Sequence, residues 1–205
     1  GIISKRVESI SPSGIRKFFD ILSTMEGAIS LGVGEPDFVT PWHVSEAGIY
    51  SIEKGYTMYT SNKGLLELRQ ELARHLRSRY DVEYDPDTEI LITVGVSEGL
   101  DLAMRSIINP KDEVLSPDPS YVSYGPCTVL AEGVFVPVPT TVESDFKVKA
   151  ADIEKRVTPR TKAILLGYPN NPTGAVMERD ELAEVAEVAR RNDLMVVSDE
   201  IYDRL

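Results

Sequence analysis

Residues 161–202 read TKAILLGYPNNPTGAVMERDELAEVAEVARRNDLMVVSDEIY, and the fold class turns on them. Thr161–Leu166 is rich in aliphatic residues and is closed by Gly167 and the turn-forming YPNNPTG, the pattern of a buried strand. Leu182, Val185, Ala186 and Ala189 then recur at helical spacing. Leu194–Val197 is apolar again and runs into SDEIY. A strand, a helix and a second strand at this spacing predict a right-handed βαβ crossover, and so a parallel sheet with helices on its faces.

The same alternation extends towards the N-terminus. Glu89–Val94 (EILITV), ended by Gly95, reads as a buried strand, and Leu100, Ala103, Met104, Ile107 and Ile108 mark a helix stopped by Asn109-Pro110. Glu113–Leu115 is a short strand running into SPDPS, followed by a helix over about Val122–Ala131 and a strand at Val134–Val138. The whole predicts an α/β chain, a three-layer α/β/α arrangement with a mostly parallel sheet. The first 90 residues are patterned differently. Ser13–Leu22 reads as a short helix, Ile29–Val33 as a short strand leading into GEPDFVTP, and Gly64–Tyr80 as a helix with Leu65, Leu68, Leu72 and Leu76 on one face. A soft boundary near Pro36–Pro41 separates an N-terminal arm, residues 1–40, from the main α/β body, residues 41–205. No internal repeat or low-complexity tract interrupts it.

Composition narrows the function classes. The chain has 205 residues, 42% of them hydrophobic, which is enough for a real core. Its net charge of −11 argues against nucleic acid or an anionic membrane surface as main partner. The single cysteine, Cys127, excludes an intramolecular disulfide framework and suits a reducing, cytoplasmic setting. His43 and His75 are the only histidines, and no cysteine–histidine spacing supports a metal site. No apolar run approaches the roughly 20 residues a membrane span needs.

Ligands of open α/β sheets bind beyond the carboxyl ends of the strands, so the strand-to-helix loops are where chemistry is expected. Gly95-Val96-Ser97-Glu98-Gly99 opens a helix, whose first N–H groups and dipole favour an anion such as phosphate, with the Ser97 hydroxyl adding a bond. Its ordinary reading is a plain βα turn with Ser97 as helix cap. Tyr121, after SPDPS, can stack on a planar ring or simply pack half-buried. Asn170-Asn171-Pro172-Thr173-Gly174 is turn chemistry, yet its amides could also bond a ligand oxygen. Asp199 follows a strongly apolar strand, where a carboxylate is poorly solvated unless paired, and a protonated ring nitrogen would be such a partner, with Tyr202 in reach of the same ligand. Each loop alone has a bland explanation. Jointly an anion cradle, a stacking ring, an amide and a carboxylate on one sheet edge suit a flat, phosphorylated, nitrogen-containing cofactor, and pyridoxal phosphate matches every part.

At these residues the sequence resembles the class I and II aminotransferases, the fold-type I enzymes that use pyridoxal 5'-phosphate. The resemblance rests on SLGVGEPDFVTP at 30–41, YTMYTSNKGLLELR at 56–69, TVGVSEGL at 93–100, YPNNPTGAV at 168–176 and VVSDEIY at 196–202, five motifs in order through nearly the whole chain. It implies that Val96 and Ser97 hold the cofactor phosphate and that Tyr121 stacks on the ring. It implies that Asn171 and Tyr202 bond the ring hydroxyl oxygen and that Asp199 keeps the ring nitrogen protonated. It also implies that Gly34 offers its backbone N–H to the substrate carboxylate, and that Tyr59 reaches the phosphate of a neighbouring subunit in a homodimer. The implied reaction moves an amino group from an L-amino acid to a 2-oxo acid, 2-oxoglutarate being the usual acceptor.

The family's Schiff-base lysine is expected downstream of DxxY, beyond Leu205, so residues 1–205 resemble the N-terminal portion: part of a small domain at 1–40 and an incomplete large domain at 41–205. No catalytic residue of the family is therefore expected within the chain, and alone it is expected to be inactive. Other fold-type I activities, such as a carbon–sulfur lyase or a cyclopropane-forming synthase, share these cofactor residues. A non-catalytic binding domain is the alternative should 205 residues be the whole protein. A nicotinamide-binding reading is a weaker rival, because LGVGEPD at 31–37 lacks the third glycine and precedes the α/β region; it would need a nicotinamide cofactor to bind and pyridoxal phosphate not to.

Overall fold

The apolar runs around Leu115 and Leu165 form the middle of a four-stranded sheet. In the computed structural model, which describes residues 1–11, 21, 25, 27 and 38–205, the strands are β1 (Glu113–Asp118), β2 (Val134–Pro139), β3 (Thr161–Gly167) and β4 (Met195–Asp199). They lie in the order β2-β1-β3-β4 and every neighbouring pair is parallel. Parallel neighbours need crossovers, and the helices supply them. The helices of this part are α1 (Lys5–Glu8), α4 (Gly95–Ile107), α5 (Tyr124–Leu130), α6 (Ala150–Glu154) and α7 (Arg179–Arg191).

The pleat sends successive residues to opposite faces, so the sheet builds two cores. Leu115, Ile164 and Leu166 face one, with Ile153 of α6 and Val185 and Val188 of α7. Val114, Ala163 and Leu165 face the other, with Leu100 and Met104 of α4 and Cys127 of α5. Ile164 and Leu165 are fully buried, each stabilising the fold by about 1.5–3 kcal/mol relative to exposure. This is the expected α/β/α arrangement. Glutamates and arginines at opposite ends of α7 suit its dipole: Glu181 lies in the first turn, Arg190 and Arg191 in the last.

By its contacts the chain divides into two units, Gly1–Pro12 with Val94–Leu205, and Ser13–Thr93. The second unit contains α2 (Trp42–Glu53), which the sequence reading did not mark, and α3 (Leu66–Tyr80), within the span expected to be helical. Arg69 of α3 is buried and donates to the Pro86 carbonyl.

Three expectations change. Glu89–Val94 is not a strand: the Ile92 N–H bonds to the Lys63 carbonyl, and no strand among the described residues pairs with the segment. Its composition favours a strand, but a strand exists only through its partner. β1 is longer than expected, continuing through Pro117 to Asp118. Its pairing to β3 has already ended at Leu115 and Ile164, where a proline's missing N–H would matter. On α7 the buried stripe is Val185, Val188 and Ala189, and Leu182 stays exposed. The helix expected at Ser13–Leu22 (Ile21 apart), the strand at Ile29–Val33 and Gly34 lie outside the described residues. No described helix is long and apolar enough to cross a membrane.

Candidate active site

The strand order itself creates a crevice. The chain leaves β1 through α5 towards β2 on one side, and leaves β3 through α7 towards β4 on the other. α5 packs on one face of the sheet and α7 on the opposite face. The two connections therefore diverge beyond the carboxyl ends of β1 and β3, which is where such sheets bind ligands. A cleft of about 200 Å³ opens there, lined by Val96 and Ser97 at the start of α4, Tyr121 and Tyr124 after β1, Gly167, Pro169 and Asn171 after β3, and Asp199, Ile201 and Tyr202 at the end of β4.

The start of α4 is shaped for an anion. Gly95 has φ +77°, which a residue with a side chain rarely adopts, and this turn leads the chain from Val94 straight into the helix. Val94, the N-cap residue, contributes no side-chain cap, while the Glu98 carboxylate accepts the Val94 N–H. Ser97 lies inside the first turn and is exposed, so it does not cap the helix in the way its ordinary reading required. The first-turn N–H groups and the Ser97 hydroxyl together can receive a phosphate.

After β3 the two asparagines divide the work. Asn170 is buried and builds the turn: its Oδ1 accepts the Thr173 N–H at 3.2 Å and the Thr173 hydroxyl at 2.9 Å, and its Nδ2 donates to the Gly167 carbonyl at 3.3 Å. Asn171 is exposed at the cleft and donates from Nδ2 to the Tyr202 hydroxyl at 3.3 Å. The turn and ligand readings of this motif thus apply to different residues. The Asn171–Tyr202 pair presents an amide and a phenol that can both meet one ligand oxygen.

Asp199 ends β4 half-buried. Its Oδ2 accepts the Tyr124 hydroxyl at 2.9 Å and its Oδ1 accepts the Ile201 N–H at 3.2 Å. A carboxylate so held is a ready partner for a ring cation. Tyr124 is almost completely buried, and burial first, then its bond to Asp199, pushes its phenol far above the ordinary range, so it acts as a donor. Tyr121 meets the Tyr124 ring edge-on, with centroids 5.7 Å apart and planes at 78°.

Six of the residues singled out in the sequence, Val96, Ser97, Tyr121, Asn171, Asp199 and Tyr202, therefore line one cleft. Tyr59 belongs to the second unit and is fully exposed. Tyr124 was missed, although its spacing of three from Tyr121 put both tyrosines on one side of a helical turn. Among the described residues no group of histidine, cysteine and carboxylate side chains could hold a metal ion. The cleft suits a flat ring with an anionic arm at α4, a ring oxygen at Asn171 and Tyr202 and a cationic nitrogen at Asp199, and the residues present fit pyridoxal phosphate.

Known proteins resemble the chain over nearly its whole length. YugH of Bacillus subtilis (strain 168) is 54% identical over 203 residues, covering 99% of this chain and 53% of that protein. The aromatic aminotransferase of Pyrococcus horikoshii OT3 superposes with a TM-score of 0.84 at 41% identity, covering 90% of this chain and 49% of that one. For the aspartate aminotransferase from Thermus thermophilus with maleate the TM-score is 0.90 at 36% identity, with 96% of this chain and 52% of that one covered. The chain spans about half the length of the curated relatives it matches. The model of the family described as aminotransferase class I and II matches residues 26–205, nearly the whole sequence, and the chain belongs to that family.

Proposed function

We propose that this chain supplies the cofactor cleft of a pyridoxal-phosphate-dependent aminotransferase, which moves the amino group of an L-amino acid to a 2-oxo acid, 2-oxoglutarate being the expected acceptor. The observation that carries this reading is the Asp199 carboxylate, fixed on both oxygens and facing a cleft shared with Ser97, Tyr121, Asn171 and Tyr202. When bound, pyridoxal phosphate supplies a protonated pyridine ring able to accept the negative charge that develops at the substrate α-carbon. Asp199 holds that ring proton by charge attraction. The first turn of α4, with the Ser97 hydroxyl, anchors the phosphate, Tyr121 sets the plane of the ring, and Asn171 and Tyr202 bond its oxygen, so that the reacting carbon stays in place.

The rest of the reading comes from the resemblance. Gly34 binds the substrate carboxylate through its backbone N–H, residues 1–40 belong with a small domain, and Tyr59 serves the phosphate of a second subunit in a cytoplasmic homodimer. The lysine that attaches the cofactor lies outside residues 1–205, which leaves this chain by itself able to bind the cofactor and unable to turn over. Aspartate and aromatic amino acids are the donors to assay first, since relatives bear those names.

Borohydride reduction after addition of pyridoxal phosphate tests the proposal. The 205-residue chain should show no stoichiometric attachment to one lysine, whereas the longer protein should be labelled at one lysine outside these residues and should transfer amino groups to 2-oxoglutarate. Specific labelling of a lysine within 1–205, or a longer protein that is neither labelled nor active, would overturn it.

A further inference from the structure

Gly167 ends β3 and is the register partner of Asp199 on β4. Its φ is unremarkable, so the reason for glycine there is space. A Cβ on residue 167 would stand 2.3 Å from the Tyr124 hydroxyl oxygen and 3.3 Å from Cζ of the same ring. The phenol of Tyr124 thus crosses over the bare backbone of β3 to reach the carboxylate on the next strand, where its oxygen lies 2.9 Å from Oδ2. The ring cannot easily swing away. It is 2% exposed and packed in the core with Leu100, Met104 and Leu165, its own N–H bonds to the Tyr121 carbonyl at 3.1 Å, and Tyr121 closes its open edge. With the Ile201 N–H on Oδ1, both carboxylate oxygens are tied, and the plane of the carboxylate is set.

Resting on the cofactor reading above, we propose that Tyr124 is the positioning residue of Asp199: its hydroxyl, passing through the space left by Gly167, holds the carboxylate aimed at the ring nitrogen of the cofactor. The phenol contacts the acid and acts through it. The hydroxyl on Oδ2 and the Ile201 N–H on Oδ1 together fix the direction in which the carboxylate faces the cleft. Gly167 is the second member of the device, because a Cβ there meets the hydroxyl oxygen first, at 2.3 Å, and the ring must shift to relieve it, which takes the hydroxyl off its line to the carboxylate.

The test compares affinities of the cofactor-free longer protein for pyridoxal 5'-phosphate and for 1-deazapyridoxal 5'-phosphate, in which a C–H replaces the ring nitrogen. The parent should prefer the natural cofactor. Tyr124→Phe, which keeps the ring and its packing, and Gly167→Ala should each reduce that preference roughly tenfold, while binding of the deaza analogue changes by no more than about twofold. The double variant should match Tyr124→Phe alone, since no hydroxyl remains for the alanine to displace. Equal weakening towards both ligands would assign Tyr124 a merely structural part and overturn the proposal, as would an unchanged preference in Tyr124→Phe or additive losses in the double variant. A parent protein that binds pyridoxal phosphate no better than the deaza analogue would instead refute the cofactor reading itself.

Discussion

Replacing Asp199 with asparagine keeps the shape of the side chain and removes its charge, and the structure says how the two effects separate. The Ile201 N–H can only donate, so the asparagine oxygen must turn towards it, in the place of Oδ1. The amide NH₂ then faces the Tyr124 oxygen, which can rotate its hydrogen away and accept. Neither neighbour is orphaned, and the fold should lose no more than about 1 kcal/mol. The cofactor loses much more. The group now opposite the ring nitrogen is a neutral amide, and a hydrogen bond to a charged partner contributes about 1.5–3 kcal/mol. At roughly 1.4 kcal/mol per tenfold, pyridoxal phosphate should bind about one to two powers of ten more weakly to the Asp199→Asn protein. In the longer protein that carries the lysine, turnover should fall further, by about two powers of ten or more, because the charge is needed most when negative charge enters the ring. Equilibrium dialysis of the cofactor-free protein against pyridoxal phosphate, with urea denaturation as the control for folding, measures both parts. An affinity and turnover within about twofold of the parent would remove Asp199 from the cofactor site.

Two further variants probe what holds the site in place. Asn170→Ala removes both bonds to Thr173 and the bond to the Gly167 carbonyl, so it should cost about 1–3 kcal/mol in urea denaturation, whereas Asn171→Ala should leave stability nearly unchanged and weaken only cofactor binding; equal stability losses would contradict this division. At the opposite end of the sheet, buried Glu113 accepts the Thr158 hydroxyl at 2.6 Å and Arg160 Nη2 at 2.7 Å. Chiefly the Thr158 bond, with Arg160 beside it, outweighs burial and holds this carboxyl below its ordinary value of 4.5. Because the folded-state value is the lower one, the stabilisation is present above that ordinary value and is lost as pH falls through the folded-state value. Glu113→Gln should therefore be less stable than the parent at pH ~7 by roughly 1–3 kcal/mol, with the gap closing under acid; a gap independent of pH would refute the assignment.

What the sequence made legible follows from how local each determinant is. The strands at Thr161–Gly167 and Val134–Pro139, and the helix at Arg179–Arg191, rest on runs of apolar residues and on glycine and proline stops within a few positions, and they stand where the pattern put them. Glu89–Val94 has the same composition and no strand partner among the described residues. Pairing is the one property of a strand that its own residues do not encode. The helix Trp42–Glu53 escaped notice for another reason: its apolar residues, Trp42, Val44, Ile49, Tyr50 and Ile52, are spread around the helix and form no single stripe to read.

The site divides in the same way. Ser97, Asn171, Asp199 and Tyr202 each stand at or just beyond the end of an apolar run, where a polar residue is conspicuous by itself. Tyr124 looks like core, and it is core, since its ring is packed among Leu100, Met104 and Leu165. Its polar end matters only because Asp199, 75 positions away, is brought beside it by the register of β3 and β4 and by the absence of a side chain at Gly167. Three ordinary residues in three separate segments thus make one interaction that none of them announces. In this cleft the hydroxyl has its path to the carboxylate because the residue opposite Asp199 on the adjoining strand is glycine, so Gly167→Ala, which leaves the tyrosine in the sequence, should disturb the same bond as Tyr124→Phe.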